Sequence, residues 1–111
     1  MANIQIVTQP AQANADQSMS PAIELHQQIV AEPVLHFAHA ALFDAAGTAV
    51  NGVLQGDKSA TGKPVNGGLS YTFANLKITA PGQYYVLVNI FEQSNGANHL
   101  GEAKSDIITV V

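Results

Sequence analysis

Apolar residues recur along this chain in short runs, most of them alternating with polar ones, and most runs end near Gly, Pro, Asn or Asp. In NIQIVT the alternation falls on Ile4 and Ile6 and stops at Gln9-Pro10. Residues 11–20, AQANADQSMS, are small and polar and read as a loop. Pro21 opens AIELH, with Ile23 and Leu25 on one face. GTAVNGVLQG carries short apolar pieces cut by Asn51-Gly52, a turn dipeptide. DKSATGKPVNGG, residues 57–68, reads as the longest loop. LSYTF then places Leu69, Tyr71 and Phe73 on one side. YYVLVNIF is β-branched and apolar on both faces, the composition of a central strand. Asn95-Gly96 marks a further turn, and SDIITVV closes the chain as a last strand. A period of two between turns spaced about ten residues apart predicts an all-β sandwich.

The segment EPVLHFAHAALFDAAG, residues 32–47, has two readings. Its composition suits a helix, with Pro33 at the first helical position and Gly47 at the C-terminal cap. Read as a strand, it puts Leu35, Phe37, His39, Ala41 and Phe43 on one face and Val34, His36, Ala38, Ala40 and Leu42 on the other. The strand is favoured, because Asp44-Ala45-Ala46-Gly47 looks like a hairpin turn and local propensity is a weak prior.

At 111 residues the chain has the length of one domain with one core, so 1–111 is taken as a single unit. With 47% hydrophobic and 11% charged residues it can bury enough surface to fold. The absence of Cys excludes disulfides and thiolate metal sites. The opening MANIQIVTQ has neither a basic nor an apolar leader region, and no apolar run approaches the roughly 18 residues of a membrane span. The chain is therefore expected to be intracellular, in cytoplasm or nucleus, or else secreted or on a virion surface with its export signal removed. Its basic residues are Lys58, Lys63, Lys77 and Lys104, with no Arg, and its net charge is −4. Phosphate contacts depend on clustered Lys and Arg, so the tally argues against nucleic acid as a partner.

Candidate chemistry is sparse. His26, His36, His39 and His99 invite a metal, but His36 and His39 point to opposite faces of a strand and no acid sits beside them. Ser59, Ser70, Ser94 and Ser105 lack a nucleophile signature, and Gly62-Lys63-Pro64 has the wrong spacing for a phosphate loop. The expectation is a protein without catalytic residues, metal or cofactor.

The stretch TFANLKITAPGQYYVLVNIF holds Leu76-x-Ile78, then Pro81-Gly82-x-Tyr84, then Val86. In immunoglobulin-like sandwiches a Tyr at the start of a late strand bonds back to the preceding loop and pins the corner between the sheets. Gly82 and Tyr84 are the expected structural corner, with Val86 where antibody domains carry Cys. Gln9-Pro10, Pro21, Leu42 with Asp44-x-x-Gly47, Leu54-x-Gly56, Phe73-x-x-Leu76-x-Ile78 and Gly82-x-Tyr84 occur in that order. In this the chain resembles the velvet domain of fungal regulators of development and secondary metabolism. The resemblance implies a Rel/velvet-like, immunoglobulin-like β-sandwich of about seven strands that dimerises. Velvet domains carry basic residues where this chain has Ala11 to Ser20, and Arg where it has Tyr85 and Leu87, so no DNA-contacting residue carries over. The expected function is a non-enzymatic protein-interaction module that binds a protein partner or itself, as a homodimer or larger assembly. The alternative is an extracellular or virion-surface module that binds glycan or acts as a spacer. Two contact regions are expected: Lys58, Lys63 and Asn66 in the 57–68 loop, and Ile108 and Val110 on a C-terminal edge strand short of charge.

Overall fold

The alternating runs pair into two facing sheets. A computed structural model describes residues 3–19, 22–28, 35–65, 67–93 and 96–111. Its strands are β1 (Asn3–Thr8), β2 (Gln12–Ala13), β3 (Ile23–Gln28), β4 (Leu35–Asp44), β5 (Leu54–Gln55), β6 (Ser59–Thr61), β7 (Lys63–Val65), β8 (Gly68–Phe73), β9 (Lys77–Ile78), β10 (Gly82–Gln93), β11 (Ala97–Lys104) and β12 (Ile108–Val110). No helix occurs among the described residues. The expected strands correspond to β1, β3, β4, β8, β10 and β12; the eight-residue β11, where the sequence reading has only the Asn95-Gly96 turn, is an additional one, and the other five are two or three residues long.

One sheet has the order β1-β3-β8-β7. The other runs β2-β12-β10-β4-β6, with β11 also paired to β10, and β5 and β9 form a separate small pair. Between the sheets Ile23, Leu25, Tyr71 and Phe73 meet Ala38, Ala40, Leu42, Val86, Val88, Ile90, Ile108 and Val110 in one buried cluster. Each large aliphatic side chain buried there contributes about 1.5–3 kcal/mol. Leu54, Leu76 and Ile78 from the β5–β9 region join the same cluster.

The ambiguous segment is a strand from Leu35 to Asp44, while 32–34 lie outside the described residues. The deciding partner is β10, whose register with β4 runs unbroken from Tyr84↔Asp44 to Gln93↔Leu35. A ladder of that length outweighs the helix propensity of its alanines. The turn that follows is a hairpin: Asp44 N–H donates to Thr48 O at 3.0 Å, and Asp44 Oδ1 accepts from the N–H groups of Ala46 and Thr48.

Two expected loops are not loops throughout. Within 11–20, β2 pairs with β12 in parallel, and Ser18 bridges to Lys77. Within 57–68, β6 pairs with β4 and β7 with β8, so the chain passes from one sheet to the other at Gly62. Gly62 N–H donates to His36 O at 3.0 Å, and a Cβ there would come within 3.1 Å of both Leu69 Cδ1 and Tyr71 Cε2. The polar composition that suggests a loop also suits an exposed edge strand, where side chains face water and only the backbone pairs.

Candidate interaction surface

Strand β10 is apolar on both faces, but only one face is core. Tyr84, Val86, Val88 and Ile90 are buried, whereas Tyr85, Leu87, Asn89 and Phe91 are half-buried on the outer face of the larger sheet. As its composition leads one to expect, the strand is central within its sheet, but among the described elements the other sheet packs on one side of it only.

Register builds the outer face from its neighbours. Tyr85 lies opposite Phe43, Leu87 opposite Ala41, Asn89 opposite His39 and Phe91 opposite Phe37 on β4. On the other flank Leu87 faces Lys104, Asn89 faces Glu102 and Phe91 faces His99 of β11. Two aromatic rungs result. Phe37 and Phe91 stack at 5.3 Å between ring centroids, and His99 meets Phe91 edge-on at the same separation. Phe43 and Tyr85 stack at 5.3 Å, nearly coplanar at 7°, and Lys104 Nζ lies 4.6 Å from the Tyr85 centroid. Each stacked pair contributes about 0.5–1.5 kcal/mol beyond its buried area, and the exposed cation over the ring about 0.5–1 kcal/mol. Between the rungs lie Ala41, Leu87, His39 and Asn89, where Asn89 Oδ1 and His99 Nε2 are 2.9 Å apart. The face is an apolar band with polar groups set into it.

A cleft of about 210 Å³ opens at the β4 rim of this face. The edge of β4 is covered first by residues 48–50 and then by 58–61, through Val50 N–H to Leu42 O at 3.0 Å and Ala40 N–H to Lys58 O at 2.7 Å. In between, the chain leaves the edge to form β5 and bury Leu54, and the cleft is the mouth of that excursion.

The residues singled out from the sequence fall in different places. Tyr84 is 7% exposed and its hydroxyl donates to Pro81 O at 3.3 Å. Gly82 has φ +152°, and a Cβ there would lie 3.0–3.2 Å from the Tyr84 ring and hydroxyl. The Gly-x-Tyr spacing thus lets the ring fold over the Cα of the glycine. Ile108 and Val110 are not at an edge. Strand β12 lies between β10 and β2, and these side chains are 0% and 3% exposed. The reason is β2, whose two residues cap β12 on its outer side and which nothing in its polar sequence announces. Lys58 precedes β6 and borders the cleft, Lys63 is exposed on β7, and Asn66 lies outside the described residues. His36 is buried while His39 and His99 are exposed. Among the described residues no three His, Asp or Glu side chains group as metal ligands would. Ser105 Oγ accepts from Val86 N–H at 2.9 Å and donates to Asp106 O, and Ser70 donates to Glu24.

Two features had no sequence signal weighed for them. The outer aromatic rungs were legible only as alternation, since Phe37 and Phe43 need β10 beside them to become a surface. The second is a buried polar pair: Gln27 is 0% exposed, Tyr71 donates to its Oε1 at 2.5 Å, and its Nε2 has no partner. Burial pushes the Tyr71 hydroxyl up to about 12.

No protein-family model matches the chain, and no curated protein matches it. Solved structures do. The CARDB domain of a Pyrococcus furiosus protein, solved in complex with di-metal ions, is 13% identical, with a TM-score of 0.54 over 100% of this chain and 88% of that one. Self-complemented MyfA, the major subunit of Myf fimbriae from Yersinia enterocolitica, is 12% identical with a TM-score of 0.48, covering 98% of both chains. A structure of AAF fimbriae from enteroaggregative Escherichia coli is 19% identical with a TM-score of 0.43, covering 100% of both. At these identities the likeness is one of fold: the chain is an immunoglobulin-like β-sandwich.

Proposed function

We propose that this chain is a non-enzymatic protein-interaction module that pairs through the outer face of its larger sheet, with a second copy of itself as the partner to test first. The observation that carries this is the apolar band of Phe37, Ala41, Phe43, Tyr85, Leu87 and Phe91 on a face the core does not use. The size suits the role. The molecule measures 41 × 26 × 21 Å, so its broad side matches the roughly 800 Å² that each partner buries in a stable complex. The face holds one acid and one base on β11, Glu102 and Lys104, and two copies packed head to tail can set one against the other. The velvet likeness is the finer form of this reading and supports pairing. Lacking Arg, the chain is not assigned the DNA contacts of that family. The single buried cluster supports treating 1–111 as one domain, and the commitment of Ser70 and Ser105 to structural bonds supports the absence of catalysis.

Light scattering across the micromolar range tests the reading, with Leu87→Glu at the centre of the band as the partner variant. The expected result is a concentration-dependent dimer for the natural chain and a folded monomer for Leu87→Glu, with unchanged circular dichroism. A natural chain that stays monomeric throughout that range rejects self-pairing. The second reading, a glycan-binding surface module, is favoured only by ring edges standing beside Asn89 and His99 on the same face. A glycan array on which Tyr85→Ala and Phe91→Ala bind as the natural chain does, or on which nothing binds, removes it.

A further inference from the structure

Asn51-Gly52 is a turn dipeptide by sequence, and the fold gives it a reactive setting. On one side Val50 N–H donates to Leu42 O at 3.0 Å, and on the other Val53 O accepts from Thr79 N–H at 3.0 Å. Between these anchors both residues are exposed. Among the described residues neither the Asn51 side-chain amide nor the Gly52 N–H has a hydrogen-bond partner, whereas Gly52 O accepts from Gln55 Nε2 at 2.9 Å. Gly52 has φ +79°, and a Cβ built there would meet nothing within 4 Å. Glycine takes this conformation without strain and sets no side chain in the way of its own nitrogen.

An Asn side chain and the N–H of the next residue are one bond short of a five-membered ring, which is why Asn is thermolabile. Closure is hindered by a side chain on the following residue, by a hydrogen bond that holds the amide, or by a strand that fixes the backbone. The other described asparagines have such protection. Asn75 precedes Leu76 and donates to Asp57 at 2.9 Å. Asn89 precedes Ile90 within β10, and its Oδ1 lies 2.9 Å from His99 Nε2. Asn14 precedes Ala15 and donates to Gln17 at 3.5 Å. Asn3 precedes Ile4 within β1, and Asn98 precedes His99 within β11. Two more Asn-Gly pairs begin at Asn66 and Asn95, which lie outside the described residues.

We infer that Asn51 is a site of spontaneous deamidation, where the chain modifies itself without an enzyme. The Gly52 nitrogen gives up its proton and attacks Asn51 Cγ. The Cγ–Nδ2 bond breaks, ammonia leaves carrying that proton, and a cyclic imide closes. Water then opens the ring. Cleavage between Cγ and the Gly52 nitrogen leaves aspartate. Cleavage between the Asn51 main-chain carbonyl carbon and that nitrogen leaves isoaspartate, whose main chain is longer by one methylene. The added methylene falls between the anchors at Val50 and Val53, outside every strand. Either product puts a carboxylate on a residue lining the cleft, where Lys58 is the only charged side chain. The step is one-way, makes the chain one unit more negative than −4, and sets an opposite charge in the cleft of Lys58. It is independent of the outer-face pairing.

The test keeps the whole folded chain in mildly alkaline buffer, where the N–H loses its proton more readily, then cuts it after its lysines for tandem mass spectrometry. The expected result is exchange of NH for O at position 51, as aspartate and isoaspartate forms that chromatography separates, while Asn75 and Asn89 stay intact. Asn51→Gln, which would need a six-membered ring, should show no exchange at that position. Its side chain is exposed, so the variant keeps the fold, and unchanged circular dichroism is the control. An Asn51 that stays intact in the folded chain, whether or not the urea-unfolded chain reacts, overturns the proposal. Exchange at Asn75 or Asn89 as fast as at Asn51 overturns it as well, because the open setting of Asn51 would then select nothing.

Discussion

The two faces of β10 are built from the same strand and nearly the same chemistry, yet they have opposite fates. On one side Tyr84, Val86, Val88 and Ile90 are 7%, 0%, 0% and 0% exposed. On the other, Tyr85, Leu87, Asn89 and Phe91 are half-buried, leaning on cross-strand neighbours and not on a second sheet. Hydropathy does not separate them, since Leu87 is as apolar as Val88. What separates them is the partner layer, because β3 and β8 supply Ile23, Leu25, Tyr71 and Phe73 to one side only. Burial is thus a property of the pair of surfaces, and an apolar face without a second surface is where a partner finds apolar area to cover.

The contrast can be broken most directly in the core. Ile90→Ala should cost about 2–5 kcal/mol, because it removes buried methylenes and leaves a cavity between well-packed sheets. Denaturant unfolding with an unchanged slope measures it. A cost no larger than that of Leu87→Ala would mean the two faces are equally covered, and the distinction between them would fall.

The buried pair Tyr71–Gln27 sharpens the inner side by pH. The Tyr71 hydroxyl is raised from 10.0 to about 12 by burial, so the folded state holds its proton more tightly than the unfolded state does. The linked stability is complete below pH 10 and is lost as pH rises from about 10 to 12, on the order of 2 kcal/mol in all. Tyr71→Phe should flatten that part of the pH profile, although it strands Gln27 Oε1 as well as the already unpaired Nε2. A profile in the variant that falls as steeply as in the natural chain would remove the link to Tyr71.

Tyr84→Phe should cost about 1–2 kcal/mol, the lower part of the range for a lost hydrogen bond, because the bond to Pro81 O is long at 3.3 Å. An unchanged denaturant midpoint would leave Tyr84 as packing alone. On the outer face Leu87→Ala should cost under about 1 kcal/mol, since the side chain is already half in water. Smallest is Lys104→Met, at about 0.5 kcal/mol for an exposed cation over the Tyr85 ring. A double-mutant cycle with Tyr85→Leu isolates that term, and a coupling of zero would assign Lys104 to solvent.

Much of the fold was legible because a period of two and turn residues are local signals. Ile4 and Ile6, Ile23 and Leu25, and Tyr71 and Phe73 announce strands by themselves, and Gly82-x-Tyr84 announces a Tyr whose hydroxyl bonds back to the loop before it. The charge tally was equally local: without Arg, no arrangement of this chain makes an Arg fork. Other features depend on residues far apart in sequence. Whether 35–44 is helix or strand was settled by β10, whose paired residues lie forty or more positions on. Whether Ile108 and Val110 lie at an edge was settled by Gln12 and Ala13, at the opposite end of the chain. The outer aromatic rungs required Phe37 and Phe43 to meet Phe91 and Tyr85, and the cleft exists because seven residues, 51–57, leave the edge of β4 where one would suffice to continue it. Side-chain alternation is written residue by residue, so the sequence alone determined which positions share a face. Which face is covered depends on which strands pair and which layer lies opposite, and only the tertiary structure decided that.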